Sequence, residues 1–275
     1  MRIGQLKPRQ AVVYRLIHNP AALLLALTTL AAGQQSPQEA EQRYSAQVKT
    51  QPSDATSWKA LGLLRASRGN LDAAAQALER ACTLRPADEE NCYYYGRSLF
   101  ALGRYDRAVP PLEAALRSSP RDRRWRVHRA LARNFEWLGR SEDAERHFRD
   151  AIRLGLGRSS PDEDPRVDFG SFLYRQGRTE EALAPLQEAA GAESSVARAY
   201  TELGRVLLQL DRTEAAAVAL EKAIRLDSRD GAPHLLLARV YVVLGRAADA
   251  EREIRISQQG PLLGPEPPQG SSTVR

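Results

Sequence analysis

A pattern of small and apolar residues returns about every 34 positions, and no other feature of the sequence restricts the fold as strongly. Trp58-x-x-Leu61-Gly62 is followed by Gly69, Ala74, Leu78, Ala81 and Pro86. The next copy reads Cys92-x-x-Tyr95-Gly96, then Gly103, Ala108, Leu112, Ala115 and Pro120. His128-x-x-Leu131-Ala132 leads to Gly139, Ala144, Phe148 and Ala151, and Phe169-Gly170 to Gly177, Ala182, Leu186 and Ala189. Tyr200-x-x-Leu203-Gly204 leads to Asp211, Ala216, Leu220 and Ala223. His234-x-x-Leu237-Ala238 leads to Gly245, Ala250 and Ile254. The six copies begin near residues 55, 89, 125, 163, 197 and 231.

Each slot has a physical reading. The glycines from Gly69 to Gly245 sit where a first helix ends and a left-handed residue is wanted. Pro86 and Pro120 stop second helices. Gly62 and its equivalents let paired helices approach closely, Ala74 and its equivalents meet them, and the larger set (Leu78, Leu112, Phe148, Leu186, Leu220, Ile254) is expected to fill the space toward the next copy. These residues resemble the tetratricopeptide repeat family over about three quarters of the chain. The resemblance implies an all-α, right-handed solenoid of stacked antiparallel helix pairs, six repeats over 54–259. The segment Gly155–Pro165 combines Gly, Pro and acid, and reads as a longer, solvated loop at which the stack bends; Asp162, Glu163 and Asp164 lack the spacing of a Ca²⁺ loop.

The ends differ from the repeats. Residues 1–33 hold Arg2, Lys7, Arg9 and Arg15, no acid, and the apolar run Ala21–Ala32 before Gly33. That is the order of a secretory signal, with cleavage expected after Gly33 and a secreted or periplasmic mature chain. Twelve apolar residues fall short of the roughly 20 that span a bilayer. An uncleaved anchor at 21–32 or a buried first helix are the alternatives. Ser36-Pro37-Gln38-Glu39 forms a capping box with Pro at the first helical position, so 34–53 reads as an N-terminal capping helix. Residues 260–275 are rich in Pro and Gly and read as a disordered tail. Glu251, Arg252, Glu253 and Gln258 are then expected to solvate the end of the last repeat.

The net charge is +6, and the first 33 residues carry four of those charges, so the remainder is nearly balanced. Such a balance does not point to nucleic acid. The four histidines form no metal motif, and no paired nucleophile and base stand out, so neither an enzyme nor a cofactor or metal site is expected. His128 and His234 occupy a packing slot, and His147 stands alone among charges.

The resemblance also implies a ligand face lined by the first helix of each repeat. Carried onto this chain, its lining slots hold Tyr93, Arg97 and Phe100; Arg126, Arg129, Arg133 and Trp137; Tyr174 and Arg175; Arg198 and Arg205; and Arg239. Arginine interleaved with aromatics suits a protein or extended peptide, acidic in character, through bidentate pairing and stacking. Arginine is common throughout, 36 residues against 4 lysines. A binder of anionic polymer is the alternative. Lys59 fills one slot of the family's carboxylate clamp, but Leu63 replaces the Asn expected one turn later. Cys82 and Cys92 stand symmetrically about the turn near position 87, at the same height on neighbouring helices, so their side chains can face each other. A disulfide there needs Cα atoms within about 7 Å, closer than the usual 8–10 Å between helices. The alternative is that both pack as small hydrophobes.

Overall fold

The computed structural model describes residues 36–157, 163–192 and 196–259; the signal-like segment 1–33 and the tail 260–275 lie outside the described residues. The chain divides into two compact units, Met1–Arg158 and Ser159–Arg275. The division falls within the Gly155–Pro165 insertion.

In the first unit, α1 (Pro37–Thr50) precedes three helix hairpins: α2 (Ala55–Ser67) with α3 (Leu71–Leu84), α4 (Glu89–Ala101) with α5 (Tyr105–Ser118), and α6 (Arg124–Trp137) with α7 (Ser141–Gly155). Hairpins stack through α3 on α4 and α5 on α6, and the first helices α2, α4 and α6 touch in succession. The second unit repeats the plan with α8 (Pro165–Arg175) and α9 (Thr179–Ala190), α10 (Ala197–Gln209) and α11 (Thr213–Leu226), and α12 (Gly231–Val243) and α13 (Ala247–Gln259). Among the described residues there is no strand, and no helix is long and apolar enough to cross a membrane.

Local chemistry accounts for the boundaries. The α1 capping box is formed: Glu39 N–H donates to Ser36 Oγ at 3.2 Å, and Ser36 N–H to Glu39 Oε2 at 2.8 Å. Asp54, Asp88, Asp164 and Asp230 cap α2, α4, α8 and α12. Three second helices, α7, α9 and α13, use another device, in which the Arg after the turn pairs with an acid three residues on, whereas Asn70 caps α3 by accepting from Ala73 N–H. Arg140–Asp143 at 2.5 Å, Arg178–Glu181 at 2.5 Å and Arg246–Asp249 at 2.6 Å are its three instances. The carboxylate so held also lies in the first turn, where the helix dipole favours it. All five turn glycines have φ between +70° and +80°, and Asp211 takes the same left-handed place at +57°.

The small slot is where the paired helices approach closely: a Cβ on Gly62 or Gly96 would lie 3.2 Å from the carbonyl oxygen of Ala74 or Ala108. A Cβ on Gly62, Gly96, Gly170 or Gly204 would lie about 2.5 Å from Cγ of Leu78, Leu112, Leu186 or Leu220, respectively. These leucines therefore fill the space over the glycine of their own hairpin. Ile254, in the equivalent slot of the last repeat, is exposed. Helix α1 seals the first hairpin, with Val48 packed on Leu61 and Ala77 beside Tyr44 and Trp58. Cys82 and Cys92 form a disulfide with Cα atoms 4.7 Å apart, tying the end of α3 to the start of α4.

Candidate functional site

Residues on α4 and α6 at helical spacings of three and four share one face of each helix. On α4 this face carries Tyr93, Arg97 and Phe100; on α6 it carries Arg126, Arg129, Arg133 and Trp137. Tyr93 is buried, covered by the guanidinium of Arg126 at 4.9 Å from its ring centroid and that of Arg97 at 5.5 Å. Its ring is a platform for the two arginines. Arg133 lies 4.8 Å over Phe100, whose ring meets Tyr105 edge-on at 5.2 Å. Tyr105 stacks in turn on Trp137, which is 59% exposed. The result is a continuous sequence of contacting groups, Arg133, Phe100, Tyr105 and Trp137, ending on an open indole. Arg129 is half-buried between these clusters in sequence.

Stacking fixes the plane of a guanidinium and lowers the entropy lost when it binds a carboxylate. A recess beside Tyr93 is lined by Glu89, Glu90, Ser119, Arg123, Arg126 and Val127. Its charges form an internal relay: Lys59 Nζ to Glu90 at 3.0 Å and Asp88 at 3.6 Å, and Arg123 to Glu89 at 2.9 Å and Glu90 at 3.4 Å. Lys59 is thus engaged within the protein.

The second unit presents its sequence-predicted residues differently. Arg198 is paired to the buried Asp168, and Arg205 to Glu202 at 3.3 Å. Tyr174 is half-buried and Arg175 exposed. Arg239 is exposed and makes no ion pair among the described residues. Tyr105 was missed in the sequence because it begins a second helix, outside the slots where ligands are sought. Its aromatic character directly after Gly103-Arg104 was the available signal.

Three sequence expectations are corrected. His147 does not stand alone: its Nδ1 lies 2.9 Å from His128 Nδ1, and the rings are 5.1 Å apart. Burial lowers the pKa of both, that of His147 to about 4 with help from its neighbour. Asp164 is buried, not solvated, because it caps α8 and is clasped by Arg166 at 2.6 Å. Asp162 lies outside the described residues. Glu253 does not solvate the end of the last repeat, being buried with its carboxylate 2.7 Å from His234 Nδ1. Among the described residues, no group of three or more His, Cys, Asp or Glu is arranged to hold a metal.

Comparison with known proteins bears on fold and family. One chain of the APC/C hetero-tetramer Cut9-Hcn1 aligns over 82% of this chain at 18% identity with a TM-score of 0.64. This chain spans only 43% of that one. PilF of Pseudomonas aeruginosa aligns over 64% of this chain and 78% of its own at 26% identity, TM-score 0.56. TTC0263, a tetratricopeptide repeat protein of Thermus thermophilus, aligns over 68% and 99% at 22% identity, TM-score 0.55. No curated protein matches the sequence. Family profiles described as tetratricopeptide repeat match residues 25–89 and 167–233, and a second profile of that description matches 65–133 and 207–261. With helix hairpins stacked in both units and the repeat pattern in every one of them, the chain belongs to the tetratricopeptide repeat family.

Proposed function

We propose that this chain is an exported, non-catalytic interaction scaffold whose α4–α6 face binds an extended acidic peptide of another protein. The observation that carries the reading is the pair of guanidinium–ring stacks, Arg126 on Tyr93 and Arg133 on Phe100. Two positive charges held in fixed planes suit carboxylates along an extended strand. The open indole of Trp137 at the end of the face offers an apolar anchor. An extended peptide brings unpaired backbone carbonyls as well as carboxylates, and guanidinium N–H groups can donate to both. Export rests on the basic start, the apolar run Ala21–Ala32 and the small residues Ala31 and Gly33.

Fluorescence anisotropy with labelled acidic peptides of about ten residues tests the binding face. Changing Arg133 to Glu should weaken the best peptide by about 2 kcal/mol or more, as reversing one partner of a close charge pair does. Unchanged affinity in a folded variant refutes the reading. Affinity that falls steeply with salt and is equal for any polyanion would point instead to an anionic polymer. N-terminal sequencing of the mature protein tests export, with Gln34 expected first.

A further inference from the structure

Helix α1 is built as the second half of a repeat. Pro37–Thr50 lies 34 residues before Leu71–Leu84 end for end, and its cap Ser36 stands 34 residues before Asn70, the cap of α3. Each other second helix follows a first helix across a turn of three residues, whereas among the described residues no first helix precedes α1. Its surface shows the difference. In the hairpins from α2–α3 to α10–α11 the slots of Ala74, Leu78 and Ala81 are at most 2% exposed. In α1 the same slots hold Ala40, Tyr44 and Gln47, and all three are partly exposed. A Cβ on Gly62 would meet Leu78 and the Ala74 carbonyl across the hairpin, so this face of α1 is the one that a first helix covers.

The register names the occupant. Shifted by 34, Ala55–Ser67 falls on residues 21–33, which are the apolar run and the glycine after it. Residues 34–36 then supply the three-residue turn. Asn19-Pro20 precedes the run with a cap residue and a proline suited to a first helical turn. Leu24 and Leu27 take the slots of Trp58 and Leu61, and Thr28 takes that of Gly62. Thr28 carries a Cβ, and sixteen residues on stands an aromatic, Tyr44, as Phe148 stands to Ala132. The repeat profile that matches from residue 25 takes in most of the run. We infer that, in a chain that keeps its first 33 residues, residues 21–33 pack on α1 as the first helix of a seventh hairpin. Folding and export then compete for one segment, because a closed hairpin withdraws the apolar run that a secretory signal must present. Cleavage after Gly33 leaves α1 as a half repeat with its face open. The competition rests on the export reading above; the packing does not. A tether of three residues gives this segment a high effective concentration at α1, which the same run on a second copy lacks.

The test compares the whole chain with the chain that starts at Gln34. By hydrogen exchange, amides of residues 21–33 in the whole chain should be protected about tenfold or more, and α1 should exchange more slowly than in the shorter chain. Leu27→Asp should abolish both effects, while Ala22→Asp, at the slot of the exposed Thr56, should leave them. Tyr44→Ala weakens the pairing without altering the signal, so in pulse-labelled cells it should raise the rate at which material starting at Gln34 appears. Ala40→Arg serves the same purpose should Tyr44→Ala not fold, as judged by circular dichroism. Unprotected amides in 21–33, with equal exchange of α1 in both chains, overturn the packing. Protection that occurs only in a sedimenting dimer does so too, since it assigns the face to a second copy. Protection with an unchanged processing rate in both α1 variants overturns the competition. Protected chains that all retain Met1 in the cell would refute the export reading while leaving the seventh hairpin in place.

Discussion

The indole of Trp137 stacks on the ring of Tyr105 with centroids 5.4 Å apart and planes inclined by 13°. The two residues come from consecutive repeats, Tyr105 opening the second helix of one and Trp137 closing the first helix of the next. The contact therefore holds the α4–α5 hairpin to α6 while leaving the indole open. Changing Trp137 to Ala should remove about 0.5–1.5 kcal/mol of ring–ring interaction, a small stability effect for a side chain this exposed. Its effect on acidic-peptide affinity should be larger, at least tenfold, as for an exposed aromatic anchor. A variant with lowered melting temperature and unaltered affinity would reduce the stack to a structural contact.

Gly96 accommodates Leu112 because it has no side chain: an added Cβ would come within 2.5 Å of Leu112 Cγ. The chain holds to a rule at this spacing. Where the first-helix slot is Gly the partner sixteen residues on is Leu, and where it is Ala (Ala132, Ala238) the partner is Phe148 or Ile254. Gly96→Ala should destabilise by about 1–3 kcal/mol through overpacking, despite alanine's better helix propensity. Adding Leu112→Ile should recover at least half of that loss in chemical denaturation, because the branch moves from Cγ to Cβ. Additive losses in the double variant would refute the pairing.

The His128–His147 contact makes stability depend on pH. One Nδ1–H donates to the other Nδ1, which requires at least one neutral ring, and burial holds both pKa values below 6.5. Asp150, Arg124 and Arg153 also face His128, and Arg146, Asp143 and Asp150 face His147. Because the folded pKa is depressed, the unfolded chain takes up more protons as pH drops below 6.5. Stability is present in full above that value and is lost progressively toward pH 4. The part due to His147 should be about 1–2 kcal/mol once its partial exposure is allowed for. His147→Phe should flatten the pH dependence of the melting temperature between 6.5 and 4.5. An unchanged slope would place the proton uptake elsewhere.

The Cys82–Cys92 disulfide closes a short loop across the first repeat junction. The same turn carries Asp88, the cap of α4, and leads into Glu89 and Glu90 of the charge relay. Reduction, or the Cys82→Ser/Cys92→Ser variant, should lower stability by about 2–3 kcal/mol through the freer unfolded chain. Hydrogen exchange should show the loss concentrated at the ends of α3 and α4. Two thiols that alkylate in the native, unreduced protein would refute the bridge.

The sequence by itself determined the repeat, and with it the helix pairs and most of their boundaries. Gly69 and Gly103 mark left-handed turns, Ser36 and Glu39 mark a capping box, and Gly62 requires a close neighbour, all for reasons local to a few residues. A period copied six times states such local requirements six times over. Tertiary structure alone decided the fate of the long polar and aromatic side chains. Asp164 became a buried cap under Arg166, Glu253 a buried partner of His234, and Arg198 a partner of Asp168. Tyr105 acquired Trp137, and Leu235, Val242 and Val243 were left in solvent. The physical reason is reach. Backbone turns and caps are settled within one helix turn of the residue that makes them. A long side chain is settled by whatever charge, ring or solvent a neighbouring helix presents at its tip, and the repeat pattern leaves those tip positions free to vary.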